Sequence, residues 1–421
     1  MTPERNPDME ELNKRRVERH MRRQRMYAKK RRKKTIAMVA VCLLLVALGV
    51  GVFYLVRQGE NAEEEKRTQV TQSGDAVAED ATVIHLVAAG DVNVSDSIVA
   101  SGGPGYDYTD TFLDVSALLA EGDITVVNFE GNFCGAPYGS SKSAPIELAM
   151  ALDRCGVDLV QLANSYSIYQ GISGLQATIQ SVKDAGMEPL GVYADERAYK
   201  AGKGYTIREV DGVKIAFVAF TKGMDGMTLP QGSEHCVNVL YNDYDSTYQD
   251  IDTKSINRVL DAVEEEAPDL TVAMLHWGSE YNDTVSKSQE SLVSLLQDRG
   301  VDAILGTHPH YVHQMTYDPE TGNFVAYSLG DLLSDGQKAG TEYSVILNLE
   351  ITKSGESTKI TGYSYTPVFT VAERGSTLRS VRIAESVVAY ENAHVRRVKE
   401  GTYSDMNYAL GRIEARIAGE L

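Results

Sequence analysis

Residues 271–314 read TVAMLHWGSEYNDTVSKSQESLVSLLQDRGVDAILGTHPHYVHQ. The unbroken apolar run Leu270 to Leu275 has the pattern of a strand covered on both faces, and it ends at His276-Trp277-Gly278. The spacing predicts a helix from about Val285 to Arg299, with Leu292, Leu295 and Leu296 on one face and Gly300 as its stop. A second apolar strand, Val301 to Leu305, ends at Gly306-Thr307-His308-Pro309-His310. Two βα units thus deliver three histidines to strand ends. The carboxyl ends of strands are where open α/β sheets bind ligands. Imidazole is also a common metal ligand.

The same alternation continues on both sides. Thr82 to Gly90 is an apolar run ending at Asp91, Ile124 to Phe129 ends at Glu130, and Val157 to Ala163 ends at Asn164. Helices are expected over about 172–185 and 256–266, and Asp211-Gly212 between two apolar runs signals a hairpin. Residues 221–250 read as a long irregular insertion that could cover a cleft. Phe324 to Leu329, Tyr343 to Ile351 and Ile360 to Val371 read as late strands, and about 403–418 as an amphipathic helix. Strands alternating with helices predict an α/β layered sandwich with a largely central sheet.

Charge is divided unevenly along the 421 residues, whose formal net charge is -18. Residues 1–34 hold 14 Lys/Arg against 5 Asp/Glu, which leaves -27 on the remainder. So acidic a body argues against nucleic acid as a partner, and it makes a polyanion an awkward ligand unless cations mediate. Residues 35–56, TIAMVAVCLLLVALGVGVFYLV, are 22 residues without a charge, enough for a helix to span a bilayer core of roughly 30 Å. This stretch is longer than the apolar part of a cleaved signal peptide. With the basic cluster before it, it reads as an uncleaved signal anchor with the N-terminus cytoplasmic and the body outside. The expected organisation is a basic cytoplasmic tail (1–34), a transmembrane anchor (35–56), a flexible polar stalk (57–80), a folded domain (81–375) and a C-terminal helical extension (376–421). Cys42 lies in the anchor. Cys134, Cys155 and Cys236 lack zinc-finger spacing, and buried free thiols are the favoured reading over a Cys134–Cys155 disulfide.

Asp91, Glu130, Asn164, His276, His308 and His310 therefore all fall at strand ends. Carboxylates crowded with imidazoles in a cleft need something positive among them, and a divalent cation such as Zn, Mn or Fe, as one ion or two, suits the mixed O and N donors. The segments Gly90-Asp91, Asn128-Phe129-Glu130, Leu162-Ala163-Asn164, His276-Trp277-Gly278-Ser279-Glu280-Tyr281, Gly306-Thr307-His308-Pro309-His310 and Tyr327-Ser328-Leu329-Gly330-Asp331 resemble, in order, the motifs of the CapA family of bacterial capsule-synthesis proteins. The resemblance covers about residues 83–335. It implies a fold like that of the calcineurin-like metallophosphoesterases and a part in making, exporting or anchoring an anionic cell-envelope polymer such as poly-γ-glutamate, beside membrane partners.

The resemblance also implies roles for individual residues. Asp91 and His310 would serve a first metal and Asn164, His276 and His308 a second, with Glu130 bridging them. Asn128, Trp277, Glu280, Tyr281 and Tyr166 would support these ligands or face the substrate. In this chain Ser165, Tyr166 and Tyr169 stand where the family has Asn, His and Asp, Asn93 stands where the phosphoesterases have a metal-binding His, and Asp331 replaces an Asn. Tyrosine in place of the His removes the proposed general acid. The alternatives to a capsule-assembly role are a metal-dependent hydrolase of a phosphoester or polymer amide, and a binding module of the same fold without catalysis. His85, inside a strand, Tyr106 and Tyr108, in a loop, and His313, just past the Gly306–His310 motif, are read as structural, with lining the cleft the alternative for His313.

Overall fold

The computed structural model describes residues 72–73, 81–372, 378–383 and 400–421. The basic tail, the anchor, most of the stalk and Cys42 lie outside the described residues. Among those described, no helix is long and apolar enough to cross a membrane.

Among the described residues, fourteen strands form two sheets. They are β1 (Gln72–Ser73), β2 (Thr82–Asn93), β3 (Ile124–Glu130), β4 (Leu159–Gln161), β5 (Glu188–Leu190), β6 (Tyr205–Val210), β7 (Val213–Thr221), β8 (Leu270–His276), β9 (Ala303–Thr307), β10 (Met315–Tyr317), β11 (Phe324–Ala326), β12 (Tyr343–Ser354), β13 (Ser357–Ala372) and β14 (Leu378–Arg382). The first sheet runs β1-β13-β12-β2-β3-β4-β5, with β14 also on β13, and the second runs β10-β11-β9-β8-β7-β6. The strands β2 to β5 are mutually parallel, as are β7, β8, β9 and β11.

Side-chain alternation explains why these strands read as continuous apolar runs. Ile84, Leu86 and Ala88 of β2 face a core shared with Ile215 and Phe217 of β7 and Val272 and Met274 of β8, between the sheets. Val87 and Ala89 face outward, into a second core with Leu148, Leu152, Leu175 and Ile179 of the helices Ile146–Arg154 and Gly171–Ala185. Ala273 and Leu275 of β8 face a third core with Val259, Leu260, Leu292 and Leu296 of the helices Thr253–Glu265 and Lys287–Gln297. The layered α/β sandwich expected with a largely central sheet is thus built on two facing sheets, each covered by helices. Period-2 burial on both faces of a strand carries no signal of how many sheets share it.

The expected helical extension 376–421 is corrected. It opens with β14, which pairs with Val368–Ala372 of β13 and places Leu378 and Val381 in the apolar cores. The helix Glu400–Ile417 then lays Met406, Ala409, Ile413 and Ile417 into the core between the sheets. The segment 222–250 has no helix and is tied down by isolated bridges Val192–Val237, Thr221–Val239 and Tyr241–Ile251.

Candidate metal centre

The parallel strands of both sheets end on the same side, and their last residues meet there. From the first sheet, β2 brings Asp91, β3 brings Asn128 and Glu130, and the turn after β4 brings Asn164. From the second, β8 brings His276 and the turn after β9 brings His308 and His310. All seven side chains are buried.

Local backbone geometry places them. The β2–β3 register shifts between Ala89 and Asp91, so Gly90 is an extra residue in β2. A Cβ on Gly90 would stand 1.8 Å from the Gly330 carbonyl oxygen. Without it, that oxygen accepts the Asp91 N–H at 3.0 Å and locks the loop after β11 against β2. His308 and His310 sit at φ 93 and 61, in the left-handed region that non-glycine residues rarely occupy. That turn brings both rings to the same centre, with centroids 6.2 Å apart, and puts the His308 N–H 3.1 Å from Asp91 Oδ2.

Two donor sets result. Glu130, His276 and His308 offer one ligand atom each within 4.8 Å of one another, and so do Asp91, Glu130 and His310. Glu130 belongs to both. Its Oε1 lies 3.3 Å from His276 Nε2 and its Oε2 3.9 Å from His310 Nε2. The structure thus assembles the histidines and carboxylates singled out in the sequence. Asn164 is beside them but engaged: its amide donates to Asn128 Oδ1 (3.2 Å) and the Phe129 carbonyl (2.7 Å), and its Oδ1 accepts the Tyr166 N–H (3.0 Å). Asn128 in turn donates to Asp91 Oδ1 at 2.6 Å. This amide chain orients Asp91.

Electrostatics show what the cluster lacks. Burial, above all, raises the Asp91 carboxyl to about 7, with Asp331 adding to it and His310 opposing. Burial and then the Asp91 charge push Glu130 well above the usual carboxylate range. Burial holds the His276 and His308 imidazoles well below the ordinary value, so both are neutral. Burial disfavours charge on His310 as well, but Asp331, Glu130 and Asp91 outweigh it and raise that imidazole well above its ordinary value. Three carboxyls gather around one basic imidazole, in a place where positive charge is stabilised.

The strongest sign of fit to a cation is in the partners that are missing. Neither ring nitrogen of His308 has a hydrogen-bond partner among the described residues, and neither has Glu130 Oε1. Buried polar atoms are ordinarily paired, and two neutral imidazoles and a carboxylate facing one point are the donor set of a divalent transition metal.

Several contributors were not assigned from the sequence. Asp331 Oδ1 lies 2.8 Å from His310 Nδ1 and so fixes the ring, with Nε2 left toward Glu130. Ser165 meets His276 Nε2 through its hydroxyl (3.0 Å) and its N–H (3.2 Å), and Thr307 Oγ1 stands 3.2 Å from Nδ1. Asp331 carried a readable signal, a carboxylate after an apolar strand. Ser165 and Thr307 carried none.

Of the remaining predicted residues, Trp277 is fully buried and turned away from the mouth. It donates to the Tyr327 carbonyl at 2.9 Å and stacks on the Tyr327 ring. Glu280 and Tyr281 are exposed at the mouth, where the Tyr281 ring stacks on His310 with centroids 5.2 Å apart. Tyr166 is half-buried, and burial and then the Glu130 charge keep its phenol protonated. His313 is buried, with Nε2 2.8 Å from the Asn282 carbonyl of the Tyr281 loop. Arg416, from the C-terminal helix, braces the same loop, with Nη2 3.6 Å from Asp283 and the guanidinium 4.8 Å over the Tyr311 ring. His85 pairs with Asn348 across β2 and β12, far from the strand ends.

The family described as bacterial capsule synthesis protein PGA_cap matches residues 85–336, which include every residue of both donor sets. A capsule biosynthesis protein CapA of Bacillus anthracis is 29% identical over 259 residues, covering 60% of this chain and 59% of that protein. A PGA biosynthesis protein CapA of Bacillus subtilis is 22% identical over 250 residues, covering 59% and 62%. The match thus spans about three fifths of the length of these relatives. Among solved structures, the calcineurin-like phosphoesterase YfkN of Bacillus subtilis aligns over 79% of this chain and 99% of its own, at 15% identity and a TM-score of 0.44.

Proposed function

The chain belongs to the bacterial capsule synthesis protein family PGA_cap, and from that membership and the geometry of its strand-end site we propose that it takes part in building an anionic capsular polymer, such as poly-γ-glutamate, at the cell envelope. In this reading residues 35–56 anchor the chain in the membrane, residues 1–34 stay cytoplasmic, and the body works outside beside membrane partners of the same pathway. The observation that carries the reading is the Glu130-centred cluster inside the family-matched segment, with its unpartnered His308 nitrogens.

Glu130, His276 and His308 would hold one divalent ion, and Asp91, Glu130 and His310 a second. Such ions supply Lewis acidity for charge that develops on an acyl or phosphoryl oxygen. The rest falls to this chain's own side chains. Asp331 keeps the His310 tautomer that leaves Nε2 toward Glu130, and Ser165 and Thr307 fix the His276 ring. The Tyr166 phenol, protonated at neutral pH, offers the mouth a hydrogen-bond donor. A second reading, hydrolysis of a polymer amide or phosphoester, is favoured by one specific feature: Glu130 is shared between the two sets, as in sites that clamp both sides of a displacement.

The test is genetic and chemical together. Deleting the gene in a polymer-producing strain is expected to remove surface polymer. The wild-type chain should restore it and the double variant His276→Ala/His308→Ala should not. Unchanged surface polymer in the deletion strain would overturn the assembly role. Polymer restored fully by the double variant would overturn the part given to the cluster.

A further inference from the structure

The mouth of the site carries a feature that the donor sets do not use. Lys142 Nζ lies 4.3 Å from the centre of the Tyr166 ring, and Lys338 Nζ lies 5.2 Å from the centre of the Tyr281 ring. Both tyrosines belong to the site. The Tyr281 ring stacks on His310 with centroids 5.2 Å apart, and the Tyr166 N–H reaches Asn164 Oδ1 at 3.0 Å, so both residues stand beside the Glu130 cluster. A third lysine, Lys222, lies over the Tyr248 ring at 4.5 Å with Nζ 2.8 Å from the Gly278 carbonyl, and its charge reaches both His276 and His308.

This placement runs against the rest of the molecule. Beyond residue 34 the chain has a net charge of -27, and the mouth itself holds Glu280 and Asp335 near Tyr281. A long anion approaching at random would be repelled. Backbone strain is also spent here. Lys142, Tyr248 and Tyr281 sit at φ 60, 55 and 55, with His308 and His310 beside them in the same left-handed region. Such positions cluster where a side chain must be aimed for a purpose. An ammonium held on a ring face keeps much of its charge available to a second, anionic partner while its stem is already ordered.

We infer that Lys142 on Tyr166 and Lys338 on Tyr281 form a pair of anion subsites flanking the Glu130 cluster, which take the neighbouring charged groups of an extended polyanion. The inference rests on the proposed function for the polymer's identity, but the subsites themselves require only repeated anionic groups along a chain. Lys222, pinned to Gly278, holds the loop between them.

Calorimetric titration of the full chain in detergent tests it, with three probes: a γ-linked glutamate octamer, free glutamate, and tripolyphosphate. The octamer is expected to bind the wild type, at least tenfold more weakly to Lys142→Gln/Lys338→Gln, with a shallower salt dependence. Free glutamate should bind both proteins alike, and metal content should not change. Lys338→Gln, at an exposed position, should alone weaken the octamer severalfold without a folding defect. Equal octamer binding by wild type and double variant would overturn the subsites while leaving the polymer reading intact. Lysine-dependent binding of tripolyphosphate with none of the octamer would uphold the subsites and overturn glutamate as the repeating unit. Binding of neither polyanion would overturn the subsites outright.

Discussion

Replacing His308 by glycine should separate what this residue does for the fold from what it does for a ligand. Its ring is buried against His276, with centroids 4.4 Å apart, and loss of that packing costs about 2–3 kcal/mol. Glycine adds unfolded-state freedom worth about 1 kcal/mol. Two relaxations oppose these. Glycine accepts φ 93 without the left-handed penalty of about 1–2 kcal/mol, and two buried nitrogens without partners disappear, worth about 1–3 kcal/mol. The metal-stripped variant should therefore match the metal-stripped wild type to within about 1 kcal/mol. His276→Ala is the contrast. It abandons Ser165 and Thr307 at 3.0–3.2 Å and should cost about 3–5 kcal/mol without metal. With metal at a thousandfold over its dissociation constant, the wild type should gain about 4 kcal/mol, a rise in Tm of roughly 5–10 °C, and both variants should lose that gain. Thermal unfolding of the full chain with and without Zn, Mn or Fe, beside elemental analysis, reads every term. A His308→Gly protein as unstable as His276→Ala when stripped, or one that keeps the metal-dependent rise, would refute the argument.

Three further outcomes are expected. Gly306→Ala would place a Cβ 2.1 Å from the Tyr327 carbonyl oxygen and 2.5 Å from Trp277 Nε1, the two ends of one buried hydrogen bond, so the denaturant midpoint should fall by the equivalent of about 3 kcal/mol. Burial raises the Asp302 carboxyl above its ordinary 3.8, against the Thr271 N–H that it accepts. The native state then holds that proton more tightly than the unfolded chain, so the contribution is full below pH 3.8 and fades as pH rises through the raised value. Asp302→Asn should flatten the fall of urea midpoint with pH over that window. Burial pushes the Cys155 thiol up to about 11, whereas Cys134 is half-buried beside Ser143. Iodoacetamide at pH 8 should label Cys134 in the native protein and Cys155 only after unfolding, as read by peptide mass mapping.

Much of the site was legible because strand ends are punctuated by it. Asp91, Glu130, His276 and His308 each close an apolar run, and apolar runs are the clearest signal a sequence gives of buried strands. The donor sets were less legible in detail, because what unites them is conformational. Nothing in the letters of His308 and His310 announces left-handed backbone, and nothing in Ser165 announces contact with a ring 111 residues away. Of the two roles the resemblance gives Trp277, supporting the cluster or facing substrate, its packing on Tyr327 behind the cluster agrees with the first. The number of sheets was illegible for a plain reason. Leu86 and Val87 are both buried whichever layers they face, and only the partners, one core between the sheets and another under the helices, tell the layers apart.

The position of β12 has a consequence for how the molecule comes into being. The family-matched segment ends at residue 336, yet β12 lies inside the first sheet and meets β2, the strand of Asp91, through eight residue pairs from Ile346–Ala89 to Lys353–Thr82. Roughly 250 residues separate those partners along the chain, so this pairing closes a very long loop. A ribosome delivers β2 long before β12. Until then one flank of β2 is an open ladder that accepts any passing strand. The order of synthesis thus withholds a finished first sheet until β12 exists, and a fragment trimmed to the family boundary would inherit the five residues of the two donor sets but also a raw, adhesive edge.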